Sequence, residues 1–296
     1  ASASPGDTST VQAHNAVDKT WNGNYDRQAV FPDGSSTYRK VVMTYTLGCA
    51  TGGCSDWDYT TQIYLRRATG QYNYFMRDDT VSFNPVIVVQ VPDSTAIFEN
   101  LELGRVITPY AGYMANNQNG FNNNWTHRYA FDVTDYVLLL QDTCLIRARY
   151  SGWSSGFSVS LRFDFIEGTP PRDILSVQNL YQGSKRYYSS NDFETTYFTP
   201  KTVVAPSNTV GARIFSTITG HGFDNNVGCA EFCQRQYTVR TNGTALGSAL
   251  IWKDDCGTNP IYPQGGTWVY DRAGGCPGAK GDIHEFEWSG FNQGTN

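Results

Sequence analysis

The sequence predicts an all-β protein made of two adjacent antiparallel jelly-roll sandwiches. First, residues 157–165 alternate strictly: Phe157, Val159, Leu161, Phe163 and Phe165 share one face, while Ser158, Ser160, Arg162 and Asp164 share the other. Second, similar short runs rich in β-branched and aromatic residues recur between clusters of Gly, Asn, Asp and Pro. Third, 296 residues is long for one β unit and comfortable for two, each able to bury its own core.

In chain order, strands are predicted over 41–46, 61–65, 86–91, 128–133, 157–165, 212–218 and 236–240. Many short strands with frequent turn signals suit sandwiches, most economically jelly rolls. Helix is expected only at Asp135–Gln141, two turns capped near Thr134. Paired prolines in Gly168-Thr169-Pro170-Pro171-Arg172-Asp173 cannot serve a central strand, so the domains are set at 1–168 and 169–296. The Asn- and Gly-rich stretch 111–126 and an extra apolar insert at 77–100 are read as elaborations that shape access to a site, against the plainer alternative of surface loops.

Composition excludes several classes of function. A net charge of −5, with 22 Lys+Arg spread along the chain, leaves no basic stripe for phosphates, so nucleic acid is not an expected partner. No apolar run approaches the ~20 residues that span a bilayer, so membrane insertion is not expected. The polar opening Ala1-Ser2-Ala3-Ser4-Pro5-Gly6 lacks the parts of a secretory leader, and the 7 Cys suit an oxidising compartment, so a leader is expected to have been removed. Four scattered histidines and the absence of any C-x-x-C argue against zinc, and the lack of an H-x-H pattern argues against copper. No metal or cofactor is expected. The spacing allows Cys49 with Cys54, Cys229 with Cys233 and Cys256 with Cys276, leaving Cys144 buried and inert, although sequence does not fix connectivity. Gly152-Trp153-Ser154-Ser155-Gly156 matches G-x-S-x-G, but an alternating strand follows where a nucleophile elbow needs a helix, so the match is read as chance.

Three cysteine-anchored polar segments carry the chemistry: Cys54-Ser55-Asp56-Trp57-Asp58, Gly228-Cys229-Ala230-Glu231-Phe232-Cys233 and Asp271-Arg272-Ala273-Gly274-Gly275-Cys276-Pro277-Gly278. Asp56 and Asp58 point to opposite faces of an extended segment, so only one can share a cleft with Glu231. Paired carboxylates beside an arginine are what water-activating hydrolases use: one acid orients or deprotonates water, the other fixes it or the leaving group, and the cation steadies developing charge.

These segments, with Gly104-Arg-Val-Ile-Thr-Pro-Tyr110 and Asp132-Val-Thr-Asp135, resemble the bacterial peptide:N-glycosidase F family in the same order from about residue 20 to 280. The resemblance implies the same three bridges, two eight-stranded jelly rolls with a site at their interface, and hydrolysis of the amide between an asparagine side chain and N-acetylglucosamine. It further implies Asp58 as principal acid, Glu231 as a second carboxylate acting through water, Arg272 as the site arginine and Trp153 as a tryptophan near the sugar core. N-glycosylated proteins or glycopeptides are the expected partners, and a secreted, periplasmic or bacterial cell-surface location is the expected setting.

The chain departs from the family pattern at substrate-facing positions. A third family carboxylate, the partner of the arginine, corresponds to Ser151. The arginine after the principal acid is Tyr59 here, and a tryptophan in a Gly-Trp-Gly turn is His221. Asp56 is kept as a further substrate-contacting candidate. The family's final strand is expected to be missing after Asn296, as in part of a longer surface or secretion-system-delivered protein. The rival expectation is a glycan- or protein-binding module weakened in turnover by Ser151.

Overall fold

A computed structural model describes residues 6–111, 124–154, 156–186, 192–222 and 230–289. Its N-terminal part holds two four-stranded antiparallel sheets. One has the order β1-β8-β3-β6, from Thr8–Lys19, Phe157–Glu167, Tyr38–Cys49 and Thr126–Asp132. The other has the order β2-β7-β4-β5, from Gly23–Val30, Thr143–Tyr150, Thr60–Phe83 and Val86–Ile107. The chain changes sheet at every connection except the β4–β5 hairpin, so each sheet collects strands from both ends of the segment.

Period-two patterning decides which faces meet. Phe157, Val159, Leu161, Phe163 and Phe165 are all completely buried, opposite Ile146, Ala148, Ile63 and Leu65 of the second sheet. Burying side chains of this size contributes roughly 1.5–3 kcal/mol each. Val41, Met43, Tyr45 and Leu47 of β3 complete the inner layer, paired in register with both β8 and β6.

The C-terminal part is more loop-rich. β9 (Ala212–Ser216) pairs with β12 (His284–Trp288), and β10 (Arg235–Thr241) pairs with β11 (Thr244–Ile251). Among the described residues no strand lies between Glu167 and Ala212. One short helix, α1 (Phe193–Tyr197), falls there, with no sequence signal strong enough to have announced it.

Three expectations need correction. The stretch Asp135–Gln141 is not a two-turn helix: a single 3-10 turn forms at Thr134–Tyr136, because the connection is short and is tied to β3 at both the Val133 amide and the Thr134 hydroxyl. The predicted 212–218 strand stops at Ser216. The 77–100 insert is not a separate strand but the tip and outer part of a long hairpin arm, formed by the end of β4 and the start of β5. β4 starts at Thr60, next to Asp58, and runs away from it; Leu65 and Leu101 are the last core pair, and beyond them both strands are solvent-facing to the tip at Phe83–Val86. Most of the 111–126 stretch lies outside the described residues.

The two parts are stitched together by main chain. Val106 bridges Lys280, the Ile107 and Gly278 amides donate to Ala279 and Ile107 carbonyls respectively, and the Tyr129 hydroxyl donates to the Gly278 carbonyl. Side chains at this junction form the candidate site. No helix of the described residues is long and apolar enough to cross a membrane.

Candidate active site

Asp58 leaves the Cys49–Cys54 loop just before β4, and the bridge that anchors this loop is present. The Thr108 hydroxyl accepts the Tyr59 amide and the Thr108 amide donates to the Tyr59 carbonyl, fixing the chain on either side of the fully buried Thr108. The Asp58 carboxyl is half-buried and hydrogen-bonded by the Tyr110 hydroxyl. Burial pushes its pKa upward, while the Tyr110 hydrogen bond and the Arg272 charge pull it back.

Glu231 sits in a 3-10 turn at Ala230–Phe232, whose amide donates to the Gly222 carbonyl and whose carbonyl accepts the Ala273 amide. Its carboxyl is pushed up to about 7, chiefly by burial; Asp58 adds to the rise and Arg272 opposes it. The charges of Asp58 and Arg272 therefore both reach Glu231, and the three residues form one electrostatic group. The Cys233 thiol is in a disulfide, and its expected partner, Cys229, lies outside the described residues. Gly220 permits this approach: a Cβ there would lie 2.8 Å from that of Ala273 and 3.3 Å from the Glu231 Cα.

Arg272 is 2 % exposed, within a segment held by the Cys256–Cys276 bridge and by paired main-chain bonds with Lys253. The third carboxylate that would neutralise it is absent at Ser151, and other groups take its place. Nη1 donates to the Thr267 and Tyr270 carbonyls at 2.8 and 3.1 Å, and Nη2 to the Thr267 hydroxyl at 2.7 Å and the Tyr110 hydroxyl at 3.4 Å. Its guanidinium lies 4.8 Å from the Phe232 ring centroid. With both Nη groups committed in this way and only the buried Nε left without a partner, Arg272 acts on the carboxylates as a fixed positive charge.

Ser151 instead extends strand pairing: its amide donates to the Thr60 carbonyl, and its hydroxyl accepts the Thr60 amide at 3.1 Å. The Thr60 hydroxyl in turn reaches His221 Nε2 at 3.0 Å, and Thr219 reaches the same nitrogen at 2.9 Å. Surrounding protein lowers the His221 pKa to about 4, with the Arg105 and Arg272 cations adding to the effect. The residue is exposed, and with its pKa lowered the ring is neutral at pH 7.

Tyr59 packs edge-to-face on Tyr150 and contacts the Ser154 hydroxyl at 3.3 Å. Trp153 is exposed, and so is Trp57, which meets Tyr110 edge-on at 5.6 Å. Asp56 is exposed. Tyr110 and Thr267 were not singled out from sequence. Tyr110 lies in the Gly104–Tyr110 motif, but nothing local to that motif tells that its hydroxyl touches Asp58 and Arg272 across the junction. Among the described residues no group of three or more His, Cys, Asp or Glu could hold a metal ion.

Two antiparallel β parts with paired carboxylates and a buried arginine at their junction define a two-part β-sandwich protein. Family models for peptide-N-glycosidase F match residues 8–165 (N terminal) and 188–296 (C terminal), and the chain belongs to this family. It is 27 % identical over 258 residues to the peptide-N(4)-(N-acetyl-beta-D-glucosaminyl)asparagine amidase F of Elizabethkingia miricola, covering 84 % of this chain and 63 % of that protein. The chain thus spans less than two thirds of that relative. In fold it is similar to PNGase F, a glycosylasparaginase from Flavobacterium meningosepticum, with TM-score 0.66, 22 % identity and coverage of 95 % and 83 %. It is also similar to PNGF-II, with TM-score 0.59, 14 % identity and coverage of 97 % and 60 %.

Proposed function

We propose that this protein hydrolyses the amide between an asparagine side chain and the N-acetylglucosamine of N-glycoproteins. The observation that carries the reading is the coupling of Asp58, Glu231 and Arg272 at the junction of a peptide-N-glycosidase F family fold. The two acids have different environments, and unlike environments are how one site supplies both a base and an acid. Asp58, whose pKa burial raises while the Tyr110 hydrogen bond and the Arg272 charge partly offset that rise, accepts a proton as water adds to the amide carbon. Glu231, at about 7, is protonated often enough at neutral pH to pass a proton, through a bridging water, to the departing nitrogen. The C–N bond breaks, leaving an aspartate side chain and a glycosylamine that then loses ammonia in solution. Arg272 holds the charge balance of both acids. Trp153, Tyr59, Ser151 and His221 line the approach, and Asp56 plays no part in the proton transfers.

A two-domain division near residue 168 and an exported protein are part of the same proposal. The rival, a binding module without turnover, is favoured by Ser151 and by the buried Arg272 Nε, which has no hydrogen-bond partner; against it, both Nη groups are held by Thr267, Tyr270 and Tyr110, which keeps the charge beside the two acids. The test is incubation with denatured glycopeptides carrying high-mannose, complex and core-fucosylated glycans, read by mass. Conversion of the glycosylated asparagine to aspartate, lost in Asp58→Asn, supports the amidase. Glycopeptide retained on the protein and never cleaved supports the rival.

A further inference from the structure

The turn joining β1 to β2 and the segment joining β7 to β8 meet beside the segment that carries Asp58 and hold two indoles in the open. Trp21 is 54 % exposed and Trp153 is 59 % exposed, with ring centroids 5.6 Å apart and planes at 88°. Both are anchored. The Tyr25 hydroxyl accepts the Thr20 and Trp21 amides and donates to the Trp21 carbonyl at 2.8 Å. Asn22 donates to the Ser151 carbonyl, and Arg149 donates to the Asn22 side-chain oxygen at 2.7 Å. At Gly156 a Cβ would fall 1.4 Å from the Lys19 carbonyl oxygen, so the two segments touch backbone to backbone.

Large aromatics this exposed and this firmly supported are informative, because they forgo burial that either ring could otherwise gain. An edge-to-face pair leaves an indole face uncovered. That face, with amide and hydroxyl groups beside it, matches a pyranose ring: the sugar's C–H face packs on the indole, and its hydroxyls reach the polar neighbours. The platform is continuous with the site, since Ser154 bonds Ser55 at 2.7 Å and contacts Tyr59, on either side of Asp58.

We propose that Trp21 and Trp153 together form a platform for a pyranose of the glycan beyond the asparagine-linked sugar. The proposal rests on the reading of the site as acting on N-linked glycans, and it gives Trp21 a role that the family resemblance did not assign. The experiment uses the full chain carrying Asp58→Asn, so that ligand is held without turnover. Calorimetry compares a glycopeptide bearing a single N-acetylglucosamine with the same peptide bearing a complete oligosaccharide. Adding Trp21→Ala is expected to weaken the oligosaccharide ligand about tenfold and leave the single-sugar ligand unchanged, with Trp21→Phe retaining most of the affinity. Undiminished oligosaccharide affinity, or equal loss on both ligands, overturns the platform while leaving the reading of the site intact. No affinity for either ligand when Trp21 is present overturns that reading and the platform with it.

Discussion

Half-buried Glu231 and fully buried Lys19 act oppositely on stability. Glu231 is held at about 7 against 4.5 for a free glutamate, so the folded protein retains a proton that the unfolded chain releases. Its contribution is fully present below pH 4.5 and is lost as pH rises through about 7. Glu231→Gln should therefore gain thermal stability relative to the parent at pH 8 and show little advantage at pH 4, measured as paired Tm values; proton donation to the substrate should fall over the same rise. Lys19 is completely buried, donates to the Tyr45 hydroxyl at 2.8 Å, lies over the Tyr45 and Tyr150 rings, and is lowered to about 7 by burial. Here the folded state disfavours the proton, so stability rises with pH between about 7 and 10.5. Lys19→Met should stabilise by about 1–4 kcal/mol at pH 6, with a smaller gain at pH 10, because a buried charge is replaced by an apolar chain of similar length. Tyr45 would keep its bond to Thr61. Denaturant titration at the two pH values checks this.

Among the elements, the β4–β5 arm stands apart. Arg67–Phe83 alone extends about 50 Å at strand rise, and Tyr74, Phe83 and Val86 are 81, 82 and 68 % exposed. All core contacts of the hairpin lie at or before Leu65 and Leu101, so replacing residues 69–97 with a two-residue turn should leave Tm within a few degrees and the site unaltered. Circular dichroism on the shortened protein would reveal otherwise. The arm also shows where strand patterning is legible and where it is not. β8 was readable because one wet face and one dry face impose a period of two. The 67–98 region has two wet faces and imposes no such period; the strand expected at 86–91 is present, but as the first part of the longer β5. The Thr134–Leu140 turn failed as a helix for a different reason: bonds to β3 outweigh a propensity that is weak over so few residues.

Across the whole molecule, the site was legible as far as local covalent anchors reached. Asp58, Glu231 and Arg272 each lie within four residues of a cysteine, and that spacing marked them. The Cys256–Cys276 loop, by chain-entropy reckoning, stabilises by about 3 kcal/mol and keeps the Arg272 segment in place. What sequence did not disclose is the set of partners created only when the two parts dock: Tyr110 between Asp58 and Arg272, Thr267 beneath the guanidinium, Thr60 against His221. These contacts hold both Nη groups of the arginine without an acid at Ser151, while its buried Nε has no hydrogen-bond partner. The central claim, that this junction directs water to an amide carbon, is tested most directly by running the reaction on a glycopeptide in heavy-oxygen water. The account predicts that the heavy oxygen appears in the new aspartate side chain, that the sugar leaves first as a glycosylamine, and that Asp58→Asn abolishes both. Heavy oxygen in the sugar with asparagine retained, or a peptide that never changes mass, would contradict it.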